Sequence, residues 1–194
     1  MVDVDAVVIV LHGHGAPPGD ATQLAAELTR GTAVRGVGLD GPWRLDDGTL
    51  AWFDPMNLDG LDAAIAMIRD AIAAQRSAGA RITLVGASQG AAAALAAVGP
   101  SGAAAVDGLV CWSGFAVEGP AHELDLDGLD GVEVLVIHGD ADDVVPVWMA
   151  EDLASLATRS GASVTTTIIG GGGHGRTPDA IAEVASWLHK EHHA

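Results

Sequence analysis

The sequence predicts a single α/β domain, residues 1–194, built on an open, mostly parallel sheet with helices on both faces. Short apolar, β-branched runs alternate with segments of helical periodicity along the whole chain. No composition shift, repeat or low-complexity linker divides it. The residue types that do chemistry collect just after the apolar runs, where the loops at the carboxyl ends of parallel strands would lie.

Taken in order, Val4 to Leu11 reads as a strand buried on both faces, followed by a glycine and proline loop and an amphipathic segment near Ala21 to Thr29. Ala33 to Leu39 is a weaker strand. Leu61, Ile65, Ile68 and Ile72 form one stripe of a helix that ends near Gly79. Arg81 to Val85 is the next strand, and an alanine-rich helix runs on to Val98. The strands Gly108 to Trp112 and Val132 to His138 are short and β-branched enough for a sheet centre. Pro146 to Ser160 predicts a helix and Val164 to Ile169 the last strand. Thr177-Pro178 supplies an N-cap and first turn for a terminal helix with Ile181, Val184 and Leu188 facing inward.

Composition narrows the function. A chain of this length buries roughly 70% of the surface its unfolded form exposes, so it needs no staples. Its one cysteine, Cys111, allows no internal disulfide and no cysteine-based metal cluster, which points to a reducing compartment. The N-terminus begins with acids rather than a basic region, and no apolar run approaches the roughly 20 residues that span a bilayer. The expectation is a cytoplasmic protein. A net charge of −17, with nine Lys and Arg against 26 Asp and Glu, argues against nucleic acid and anionic membranes as partners. A GC-rich coding bias or adaptation to high salt would each explain that acidity, and neither decides the function.

The segment ITLVGASQGAAAALAA places G-x-S-x-G between a strand and a helix. A serine at such a turn is pushed above the sheet with its hydroxyl exposed. Gly86 and Gly90 lack the side chains that would clash across the turn, and the following helix points its positive end at the serine oxygen. The bland alternative is a small-residue turn that only joins two elements. A serine hydroxyl needs a base, and the base needs an anion to orient it. Asp142 and His174 follow Ser88 at later strand ends, in the chain order Ser, Asp, His. Taken singly, the acidic turn at Asp140 to Asp143 could be merely solvated and His174 a surface histidine. Their joint placement is what carries weight.

With those residues in place the chain resembles the phospholipase/carboxylesterase family of serine hydrolases, related to acyl-protein thioesterases. The matching pieces are LHGHG (11–15), GPWRLDDGTLAWFD (41–54), GASQG (86–90), WSGF (112–115), HGDADDVVP (138–146) and GGGHG (171–175). The resemblance implies an α/β-hydrolase fold with little or no lid, Ser88 as nucleophile, Asp142 as acid and His174 as base. It also implies an oxyanion hole made by the backbone N–H groups of His14 and Gln89. His14 departs from the leucine, arginine or tyrosine more usual there.

The run IIGGGGHGRTPDA admits another reading, since Gly170, Gly172 and Gly175 satisfy the G-x-G-x-x-G of a dinucleotide-binding turn. Such a turn needs a downstream strand and an acidic residue roughly 20 positions on, and only one helix's worth of chain follows Gly175. A close-approaching, flexible loop that delivers His174 fits better. His12-x-His14 could be half of a metal site, but the sequence holds no continuation for it. No metal or other cofactor is expected. Cys111 is most simply a buried hydrophobe. Trp52, Phe53 and Trp112 are either core residues or, since the resemblance implies that their segments border the active site, part of an acyl pocket.

The expected protein is therefore a monomeric or homodimeric hydrolase of small carboxylic esters with short to medium acyl chains, acting through an acyl-serine. Thioesterase and lysophospholipase activities are alternatives of the same fold. A catalytically silent binding module is the alternative from another class.

Overall fold

The computed structural model describes residues 6–76, 80–100, 102, 105–119 and 122–193. Six strands form one parallel sheet: β1 (Ala6–Leu11), β2 (Arg35–Leu39), β5 (Arg81–Ala87), β6 (Gly108–Trp112), β7 (Glu133–Gly139) and β8 (Ser163–Ile169). A small antiparallel hairpin, β3 (Trp43–Arg44) with β4 (Leu50–Ala51), stands apart from it. The helices are α1 (Asp20–Leu28), α2 (Leu61–Gln75), α3 (Gln89–Val98), α4 (Trp148–Arg159) and α5 (Pro178–His193).

Side chains of a strand alternate between faces, and the apolar runs use both. Val7, Ile9 and Leu11 of β1 pack with α2, α3 and α4, while Val8 and Val10 pack with α1 and α5. The predicted stripe of α2 is buried at Leu61, Ile68 and Ile72, with Ile65 half-buried. In α5, Val184 and Leu188 are buried together with Ala180 and Trp187, and Ile181 is half-buried. The Thr177 hydroxyl accepts the Ala180 N–H at 3.2 Å, the expected N-cap bond.

Two helix boundaries differ most from the sequence reading. The fourth helix starts at Trp148 rather than Pro146, and α2 ends at Gln75. Gly79, where that helix was expected to end, lies outside the described residues, as do Val4 and Asp5 of the first strand. The hairpin β3–β4 was not foreseen, because strands of two residues carry no detectable period.

Across the sheet the order is β2-β1-β5-β6-β7-β8. The chain moves outward from β1 to β2, returns to lay β5 against β1, and then proceeds the other way. The topological switch therefore lies between β1 and β5, and the carboxyl ends of those two strands flank the crevice where such sheets place their ligands.

Candidate active site

At that crevice stand the His12–Gly15 loop after β1 and Ser88 after β5. Ser88 has φ 51° and ψ −116°, a conformation that costs a non-glycine residue ~1–3 kcal/mol. The turn is held by the Ser88 N–H donating to the Trp112 carbonyl (2.8 Å), and by Ala91 N–H donating to the Ser88 carbonyl (2.9 Å). Its tightness explains the flanking glycines: a Cβ on Gly86 would sit 2.4 Å from Ala91 Cα, and one on Gly90 2.5 Å from the His12 carbonyl oxygen. Helix α3 is mostly alanine and buried on nearly every side, so its backbone can approach this close.

His174 arrives from the other side, on the loop between β8 and α5. Its Nε2 lies 2.9 Å from Ser88 Oγ and its Nδ1 2.8 Å from Asp142 Oδ2. A carboxylate only accepts, so the imidazole proton is on Nδ1 and Nε2 is free to accept the serine hydroxyl. The glycine loop that carries His174 is fastened to the end of β7. Asp140 Oδ1 accepts the Gly171 N–H (2.6 Å) and Ala141 N–H donates to the Gly172 carbonyl (2.9 Å). A side chain on Gly139 would overlap the Gly172 carbonyl, at 2.1 Å. Gly139 and Gly172 supply close approach and Gly171 a positive φ of 70°, whereas a Cβ on Gly170, Gly173 or Gly175 would meet nothing within 4 Å.

Asp142 is the buried member, its side chain fully shielded from solvent. Burial pushes its carboxyl up, but the Val145 N–H, His174 and the Val144 N–H outweigh that and hold it below the usual carboxylate value. Both amides reach Oδ1, at 2.8 Å and 2.9 Å. The carboxylate is thereby kept ionised beside an imidazole that can take up a proton.

On the β1 side, the amides of His14 and Gln89 find no acceptor among the described residues, and Gln89 is the first residue of α3, where no intrahelical partner exists. The loop carrying His14 is pinned by the unforeseen hairpin, through Gly15 N–H to the Leu50 carbonyl (2.9 Å) and Leu50 N–H to the Ala16 carbonyl (2.8 Å). Behind it, His12 is wholly buried. Its Nε2 accepts the Gly41 N–H (2.8 Å), so its proton is on Nδ1, which donates to the Gly13 carbonyl (2.7 Å). With both nitrogens engaged, His12 is a brace for the loop rather than half of a metal site.

Gln89 contributes more than an amide. Its buried side chain accepts the Trp52 N–H (2.9 Å) and donates to the Phe53 carbonyl (2.8 Å), tying the segment after the hairpin to the start of α3. Gln89→Ala would leave both backbone groups unpaired. An expected loss of about 2–4 kcal/mol follows from the cost of two buried, unsatisfied groups, measured by denaturant unfolding. An unchanged midpoint would mean that solvent satisfies them.

Of the three aromatic residues considered for an acyl pocket, only Trp112 borders the cleft, with Gly13, His14, Ser113 and Arg176 beside it. Trp52 and Phe53 do not. Their exposures are 0% and 1%, and Trp52 points its indole N–H inward to the His12 carbonyl (2.8 Å). They are core residues that shape the site from beneath. Cys111 is buried too, its thiol pushed up to about 12 by burial, which leaves it inert.

The cleft over Ser88 measures about 240 Å³. An ion pair between Asp20, at the start of α1, and Arg176, just after the glycine loop, closes one edge. A larger groove of about 630 Å³, lined by Pro100, Leu124 and Leu156 among others, lies by the far end of α3. That end is roughly 15 Å of helix away from Ser88.

A family model described as phospholipase/carboxylesterase matches residues 2–192. Among solved structures, the chain is similar to esterase PE8, with 24% identity, TM-score 0.78, and coverage of 96% of this chain and 93% of that one. Acyl-protein thioesterase 2 from Zea mays is similar at 24% identity and TM-score 0.78, covering 97% and 94%. The carboxylesterase of Bacillus cereus is similar at 24% identity and TM-score 0.77, covering 96% and 89%. At these identities the likeness is one of fold. No curated protein matches the sequence.

Proposed function

The chain belongs to the phospholipase/carboxylesterase family and is an ester hydrolase of the α/β-hydrolase fold, and from that premise we propose that it cleaves small carboxylic esters through a covalent acyl-Ser88. The observation that carries the proposal is the unbroken line of hydrogen bonds from Ser88 Oγ through His174 to Asp142, opening into a cleft at the topological switch. Ser88 Oγ attacks the carbonyl carbon while its proton passes to His174 Nε2. His174 then returns the proton to the departing alcohol oxygen. A water molecule repeats the sequence on the acyl-serine and releases the acid. Asp142 holds the imidazole and steadies its positive charge.

The oxygen of the tetrahedral intermediate is received by the free amides of Gln89 and His14. Only the main chain of His14 is needed for this, so His14→Pro, which removes the N–H, should lower kcat by roughly 10²-fold while His14→Leu keeps most of it. A collapse of kcat in His14→Leu would give the imidazole itself a role.

Short acyl chains of roughly two to eight carbons suit the cleft, whose volume falls below the roughly 300–1,000 Å³ of sites that take drug-sized ligands. No described helix is long and apolar enough to cross a membrane. The lone, buried Cys111 fits a cytoplasmic enzyme, acting as a monomer or a homodimer. Hydrolysis of p-nitrophenyl esters from acetate to laurate, with a fluorophosphonate probe mapped to its site, tests the reading. Butyrate should turn over faster than laurate below micelle-forming concentrations, with the label on Ser88. Failure of every ester, or labelling elsewhere, overturns it.

A further inference from the structure

The relay leaves one buried histidine without a task. His138, near the end of β7, is 0% exposed, and its Nε2 lies 2.8 Å from the Val145 carbonyl oxygen. A carbonyl only accepts, so Nε2 carries a proton. Nδ1 finds no partner among the described residues. A buried nitrogen without a partner is unfavourable, and an apolar side chain of similar size would avoid it. Packing alone therefore does not account for a histidine here.

The same Nε2 lies 3.2 Å from Asp142 Oδ2, the oxygen that receives His174. The Val145 carbonyl is also significant, because the Val145 N–H is one of the two amides that hold Asp142 Oδ1. His138 thus holds, through the Val145 carbonyl, the turn that orients the carboxylate, and its N–H lies beside Oδ2 without a hydrogen bond to it. We propose that His138 is a positioning residue: its Nε2–H holds the Val145 turn whose amide orients the Asp142 carboxylate and, lying 3.2 Å from Oδ2, offsets part of the negative charge that His174 feels.

This inference rests on the serine-esterase reading above. It also has a sign. The positive end of an N–H beside Oδ2 weakens the field that favours imidazolium, so removing it makes His174 easier to protonate. The other charged groups nearby are the exposed Asp143, Asp140, whose carboxylate holds the Gly171 N–H, and the Asp20–Arg176 pair at the cleft edge. All stay in place in the variants that test the idea.

His138→Leu removes the donor and His138→Gln offers an amide N–H in its place. With p-nitrophenyl butyrate, His138→Leu should lower kcat roughly tenfold at nearly constant KM, because a misplaced acid impairs the proton transfer more than binding. The acid limb of its kcat/KM profile should rise by about half a pH unit or more. His138→Gln should recover most of both. A folded His138→Leu whose acid limb stays put overturns the proposal, as does a His138→Gln no better than His138→Leu. If His138→Leu does not fold, ring-nitrogen NMR of the unmodified protein decides. A His138 ring with its proton on Nε2 supports the assignment, and one with its proton on Nδ1 alone overturns it. Unmodified protein that neither hydrolyses esters nor labels at Ser88 would overturn the esterase reading itself, a different failure from an unmoved limb in an active, labelled enzyme.

Discussion

Ser88→Ala is expected to lower kcat by on the order of 10⁶-fold, the scale at which a serine relay loses its nucleophile, and to leave the fold intact. Among the described residues the hydroxyl is bonded only to His174 Nε2, on the cleft side, and the turn around it is held by backbone bonds that alanine keeps. Ser88→Gly separates activity from stability further. At φ 51° glycine relieves the strain that any other side chain meets, so this variant should be equally inactive yet hold or raise the denaturation midpoint. Circular dichroism, denaturant unfolding and single-turnover assays check the three expectations. Retention of more than a few per cent of turnover in Ser88→Ala would move the nucleophile elsewhere.

Much of this was legible in the sequence, for reasons that differ from residue to residue. Ser88 could be found because strand, turn and helix fall together in one short segment whose close contacts demand glycine at 86 and 90. Asp142 and His174 could be found because parallel sheets bring strand ends to one edge, so that chain order and loop position stand in for distance. Roles that depend on a partner far along the chain were not legible. The Gln89 side chain meets Trp52 and Phe53 across 37 and 36 residues, and His12 meets Gly41 across 29. Nothing local marks such bonds.

Trp52 and Phe53 failed as pocket residues for a related reason. Sequence proximity to the site does not say which way a side chain points, and the hairpin that turns these two inward has strands too short to predict. His138 was read as the end of a strand and the first residue of the matching segment HGDADDVVP, with no role of its own, yet its position four residues before Asp142 was a usable signal. A buried histidine so close to a buried acid on one tight turn has few other groups to meet.

The second large effect is expected for Asp142→Asn, a loss of roughly 10⁴-fold in kcat at neutral pH. The hydrogen bonds dictate how the amide must sit. Oδ1 accepts two backbone N–H groups, so the asparagine oxygen takes that place and its NH2 falls where Oδ2 received His174 Nδ1. Two donors cannot face each other, and His174 is driven to the tautomer with its proton on Nε2, where it can no longer accept from Ser88. The neighbouring acids should matter far less. Asp140→Asn keeps an oxygen for the Gly171 N–H, and Asp143 is exposed, so each change should stay within about tenfold, as expected for groups outside the proton path. Stability offers an independent check with a definite sign. The Asp142 carboxyl is held below its ordinary value in the fold, so its contribution is complete above the unfolded value, about pH 3.9, and is lost as pH falls through the lower, folded one. Denaturant unfolding should therefore show the parent's advantage over Asp142→Asn to be greatest above about pH 4 and to shrink under stronger acid. A deeper loss of turnover at Asp140 or Asp143 would transfer the role of the acid to that residue, and an advantage that grew as pH fell would mean that Asp142 is not the ionised partner of His174.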